Sequence, residues 1–94
     1  MTSDESLELL ESVHNFPCEF TIKVIGRAEN DFVGRVLTSV RETLGIVNDP
    51  PHTQRETTGG RHVALTLEPW IQSAQQVLDV YRELRSTDGV VVMM

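Results

Sequence analysis

A single cysteine, Cys18, stands in this chain of 94 residues, so no internal disulfide can form and a thiolate metal cluster is excluded. Long apolar runs are also missing: the longest, Val90 to Met94, falls far short of the about 20 residues that cross a bilayer. No membrane contact is expected. Basic residues are scarce, with eight Lys and Arg against fourteen Asp and Glu, and a formal charge of -6 repels the phosphates whose neutralisation drives nucleic-acid affinity. Nucleic acid is therefore not an expected partner. Met1 to Glu11 has no cationic start followed by an apolar run of signal length, and together with the lone thiol this predicts a cytoplasmic protein.

What is present suffices for one domain. At 10.6 kDa the surface scaling has about 64% of the unfolded chain's surface buried on folding, enough for a core without staples. Thr2 and Glu5 have capping-box spacing, and Leu7, Leu10 and Val13 follow at helical intervals, which predicts a short N-terminal helical flap over residues 1–15. From 16 to 94 the pattern reads as one folded unit. Phe20, Ile22 and Val24 alternate with Thr21, Lys23 and Ile25, predicting a first strand over Cys18 to Gly26. Phe32, Val33, Val36, Leu37, Val40 and Leu44 then recur at the spacing of a helical face, with Asn30 as the expected N-cap, an Asp31–Arg35 pair one turn apart, and Gly45 as the stop.

His52 to Thr57 contains no large apolar residue, which suits an edge strand, and Gly59-Gly60 supplies the two positive φ angles of a tight two-residue hairpin loop. A third strand follows, with Val63, Leu65 and Leu67 on one side. Pro69 is expected in the first turn of a second helix whose buried stripe is Trp70, Ile71, Ala74, Val77, Leu78, Tyr81 and Leu84. Val90 to Met93 closes the series as a fourth strand. The succession β-α-β-β-α-β predicts an α+β sandwich of the ferredoxin-like type: a four-stranded antiparallel sheet in the order 4-1-3-2 with both helices on one face.

Chemistry-bearing groups are dispersed. His14, His52 and His62 lie far apart with no His-x-x-x-His pair, so no metal ligand set is expected. An acylphosphatase would need a phosphate cradle, whereas Gly26 to Asp31 offers one arginine beside two carboxylates. Glu8 with Glu11, and Asp79 with Glu83, are carboxylate pairs on solvated helix faces. No nucleophile and base converge. No catalytic residue, no cofactor and no enzymatic activity are expected.

The run Phe16-Pro17-Cys18-Glu19-Phe20-Thr21-Ile22-Lys23-Val24-Ile25-Gly26, the hairpin Thr57-Thr58-Gly59-Gly60-Arg61, and Tyr81 and Leu84 ahead of the apolar last strand together resemble the YbeD-like family of small bacterial proteins of unknown function. The resemblance departs at His62 and Ala64, where a tyrosine and a serine are expected. The family's fold is similar to ACT-like regulatory domains, so the resemblance implies a regulatory or small-effector-binding module. Within that class the effector is expected at the first loop, on Gly26, Arg27, Asn30 and Asp31 at the start of the first long helix. The alternative is a protein-interaction adaptor. Its surface would be the open sheet face, Thr21, Lys23, Ile25, His62, Ala64 and Thr66, or the edge strand Val90, Val91, Val92 and Met93, through which a homodimer could also pair.

Overall fold

Strict alternation in two segments sets the centre of the molecule. The computed structural model of the chain describes Ser3 to Met94, and in it β2 (Ile22–Arg27) and β4 (His62–Leu67) lie side by side, antiparallel, with Ile22 opposite Leu67, Val24 opposite Leu65 and Gly26 opposite Val63. These six positions are buried, because period two aims all of them at the same side of the sheet. β3 (His52–Glu56) flanks β4 and β6 (Val90–Met93) flanks β2, which gives the antiparallel order β3-β4-β2-β6. A bulge between Ile25 and Gly26 leaves Val91 without an opposite residue, since Val92 faces Ile25 and Val90 faces Gly26.

On the apolar side of the sheet lie α2 (Phe32–Leu44) and α3 (Ala74–Arg85), which bury Phe32, Val36, Leu37 and Val40, and Ala74, Val77, Val80 and Leu84. Phe32 is the largest fully buried side chain, and the tip of its ring abuts Gly26: a Cβ there would come within 2.1 Å of the ring. Gly34, inside α2, is fixed by the same kind of approach, because the Asp31 carboxylate occupies the place of its side chain, 2.3 Å from an ideal Cβ. A third helix, α1 (Ser3–Val13), packs on α3 with Leu7 and Leu10 half-buried. The candidate cap Thr2 lies outside the described residues.

Several expectations are corrected. The strand expected over Cys18 to Gly26 is interrupted at Phe20 and Thr21, leaving β1 (Cys18–Glu19) separate from β2. β1 pairs instead with β5 (Trp70–Ile71), so there are two sheets, of two and four strands, rather than one, while α1 stands in the segment expected to be helical at the N-terminus. Trp70 is thus not part of a buried helical stripe; it is 55% exposed, while Ile71 beside it is buried. The helix begins at Ala74 because Ser73 caps it, accepting from the Gln76 N–H, while the Gln76 side chain accepts the Gln72 N–H at 2.8 Å. Pro69 cannot lead this helix, since its carbonyl accepts the Phe20 N–H at 3.0 Å in the extended segment. Val80, absent from the expected stripe, takes the buried place instead.

At the start of α2 the N-cap is Asp31, not Asn30. Both residues are left-handed, with φ of 53° at Asn30 and 52° at Asp31, a conformation that Asn and Asp tolerate better than other side chains. The Asp31 carboxylate makes no capping bond. Nor does it pair with Arg35, whose guanidinium donates to backbone carbonyls, of Asn30 at 2.8 Å and of Asp88 at 2.7 Å. Finally, the hairpin loop spans 58–61: the Thr57 N–H donates to the His62 carbonyl, and the Gly60 N–H to the Thr57 carbonyl.

Candidate functional site

Four strands with helices on one side leave a second face open, and cross-strand pairing fixes who stands on it. One row runs Met94, Lys23, Thr66, Thr53; the next Val92, Ile25, Ala64, Arg55; a third brings Arg27 beside His62. Lys23, Ile25, His62, Ala64 and Thr66 are therefore brought together as expected from the alternation, and the exposed Thr21 stands just ahead of them in the chain. The sequence reasoning missed Thr53, Arg55, Val92 and Met94, which join the face only through register between strands. Arg27 is also here, at the end of the face, bound to Glu29 (Nε to Oε1, 3.2 Å) and Asp88 (guanidinium to Oδ1, 3.5 Å).

The expected effector group does not converge. Gly26 is buried under Phe32, and Arg27 points to the open face, whereas Asn30 and Asp31 line a hollow of about 340 Å³ on the helix side with Glu29, Phe32, Val33, Gln54, Glu56 and Val63. Its charged walls are the carboxylates of Glu29, Asp31 and Glu56. A larger cavity, about 510 Å³, lies between α1 and the start of α3, lined by Leu7, Glu11, His14, Asn15, Phe16 and Gln72 to Gln75. The His14 ring is tilted against those of Phe16 and Phe20, with centroids 6.0 and 4.9 Å away. No sequence signal pointed to it, because it exists only through the docking of α1 on α3. Among the described residues no three of His, Cys, Asp and Glu gather as a metal site.

Of the edge residues, Val90 and Met93 turn toward the core, while Val91, Val92 and Met94 are 52%, 43% and 61% exposed. Lys23 and Met94 exchange both backbone bonds, at 2.9 and 2.8 Å, so the intervening Met93 directs its N–H and C=O away from β2. Among the described residues nothing pairs with that side of β6.

These features define a small mixed α/β protein with an antiparallel sheet covered on one face. The chain belongs to the family of proteins of unknown function DUF493, whose pattern it matches over residues 11–94, and the YbeD-like resemblance thereby holds. It is similar to a UPF0250 protein of Paraburkholderia phytofirmans, 32% identical over 89% of this chain and 94% of the relative. A UPF0250 protein of Chromobacterium violaceum is 35% identical over 87% of this chain and 88% of its own length. That of Shewanella sediminis is 32% identical, over 88% of each.

Proposed function

We propose that the chain is a non-enzymatic binding module, an adaptor whose contact element is the free edge of β6, and that this edge takes up the β6 strand of a second copy. The contrast between the two sheet edges carries this reading. β3 is polar throughout and bears Arg55 and Glu56, the kind of charge that discourages edge pairing, whereas β6 reads Val-Val-Val-Met with outward backbone groups at Met93. Antiparallel β6 to β6 pairing is self-complementary, as a two-fold contact requires, and would join two four-stranded sheets into one. In this reading the succession β2-α2-β3-β4-α3-β6 is ferredoxin-like, with α1 and the β1–β5 ribbon as additions. Sedimentation equilibrium up to millimolar concentration, combined with amide exchange at Met93, tests it. A dimer in which Met93 gains protection is expected; a monomer at all concentrations, with Met93 exchanging freely, overturns it.

A second reading, the regulatory module of ACT-like type, is favoured by the hollow at Asn30 and Asp31. With Glu29, Asp31 and Glu56 in its wall, it suits an effector bearing an ammonium group better than an anion. Thermal unfolding against amines and carboxylates distinguishes these, since a ligand at 100 times its Kd stabilises by about 2.7 kcal/mol. A shift with amines alone supports the reading, and no shift with either removes it.

A further inference from the structure

Fourteen Asp and Glu side chains are distributed over this chain, yet none stands among the paired positions of the open sheet face. Those positions are Met94, Lys23, Thr66 and Thr53 in one row, Val92, Ile25, Ala64 and Arg55 in the next, and Arg27 with His62 beyond. Arg27 is neutralised by Glu29 and Asp88, but Lys23 and Arg55 have no ion-pair partner among the described residues. A protein with net charge -6 therefore keeps this face free of acidic side chains among the described residues and holds there two cations without an ion-pair partner.

We infer that this face docks an acidic amphipathic helix of another protein. The shape argument starts from β4. Its outward side chains Thr66 and Ala64 are small, and they form a shallow floor between the β2 column, with Lys23 and Ile25, and the β3 column, with Arg55 and Thr53. Those two columns are separated by two strand spacings, about 10 Å, which is the diameter of a helix. A helix laid along β4 would have Lys23 on one flank and Arg55 on the other. Its apolar stripe would meet Ala64, Ile25 and, further toward the edge, Val92. Glutamates on both flanks then answer the two cations. The opposite face of the same sheet is covered by helices in the same way, as layered packing of sheet and helix favours.

Charge complementarity selects this occupant over a nucleic acid. Two free cations are few against the roughly six to ten phosphate contacts of a duplex binder, the net charge is repulsive, and none of the face positions carries Phe, Tyr or Trp. The inference does not depend on strand pairing at β6, because the helix lies over the sheet and not beside it.

The test uses three capped 18-residue peptides with leucine at alternating third and fourth positions and glutamate, glutamine or lysine on the flanks, titrated into the full chain at physiological salt. Backbone amide shifts are mapped, and (dT)₁₂ serves as the nucleic-acid probe. The glutamate peptide is expected to shift Lys23, Ile25, Ala64 and Arg55, and to bind about fivefold more tightly than the glutamine peptide, as two exposed ion pairs allow. In K23E/R55E that preference should pass to the lysine peptide. K23Q/R55Q, should the reversal impair folding, is expected to bind glutamate and glutamine peptides equally. Equal binding of the two by the native chain, shifts confined to α1 and α3, no binding by any peptide at millimolar concentration, or tighter binding of the oligonucleotide would each overturn the inference.

Discussion

Arg35 donates from its terminal guanidinium nitrogen to the carbonyl of Asp88 at 2.7 Å, across 53 residues of sequence. Through its Nε it also holds the Asn30 carbonyl, and the guanidinium sits 5.8 Å from the centre of the Phe32 ring. One side chain thus ties the entry of α2 to the turn between α3 and β6. Replacement by methionine keeps the apolar stem and deletes both bonds. The expected loss is about 1–2 kcal/mol, read as a lower midpoint in urea at unchanged slope.

The Phe32 ring fills the space that a side chain at Gly26 would need. Gly26→Ala is expected to cost about 2–3 kcal/mol, as overpacking of a filled site does. Phe32→Leu alone also destabilises by opening a void. Combined, the two should cost less than their sum, and a double-mutant cycle measures that coupling.

Tyr81 supplies a pH signature. Burial pushes its hydroxyl above the usual value of 10. The folded state therefore holds this proton where the unfolded chain releases it, so the contribution is full below about pH 10 and is lost as pH rises through the folded pKa. Urea unfolding at pH 9 and pH 11 should show a fall that is smaller in Tyr81→Phe.

Val91 sits at the bulge, exposed, opposite no residue of β2. Val91→Lys should leave the melting temperature nearly unchanged, because nothing in the core is disturbed. It should abolish strand pairing at β6, for a charge on an edge opposes it. Sedimentation equilibrium of the variant beside the native chain gives the comparison.

The parts of this fold that local periodicity governs were legible. Ile22 and Val24 inward with Lys23 and Ile25 outward follows from alternation alone, and the Val36, Leu37, Val40 face from helical spacing. What failed depends on partners distant in sequence. Trp70-Ile71 suits a helical stripe as well as a strand, and only its pairing with Cys18–Glu19, about fifty residues earlier, decides. The α2 cap failed for a different reason. Asn30 and Asp31 are both good left-handed residues, and the choice between them rests on the Asp31 carboxylate lying over Gly34. The open face was half legible: alternation placed Lys23 and His62, but Arg55 and Val92 enter by register, which one strand read alone does not contain.

No side chain of α1 among those described is fully buried, and the helix rests on α3 through half-buried Leu7 and Leu10. Such slight apolar anchorage predicts that α1 opens as a local unit, at a free energy below that of the sheet. The cavity it roofs, between Leu7, His14 and Gln75, would open with it, and the expected outcome is amide exchange in α1 faster than in β2 and β4.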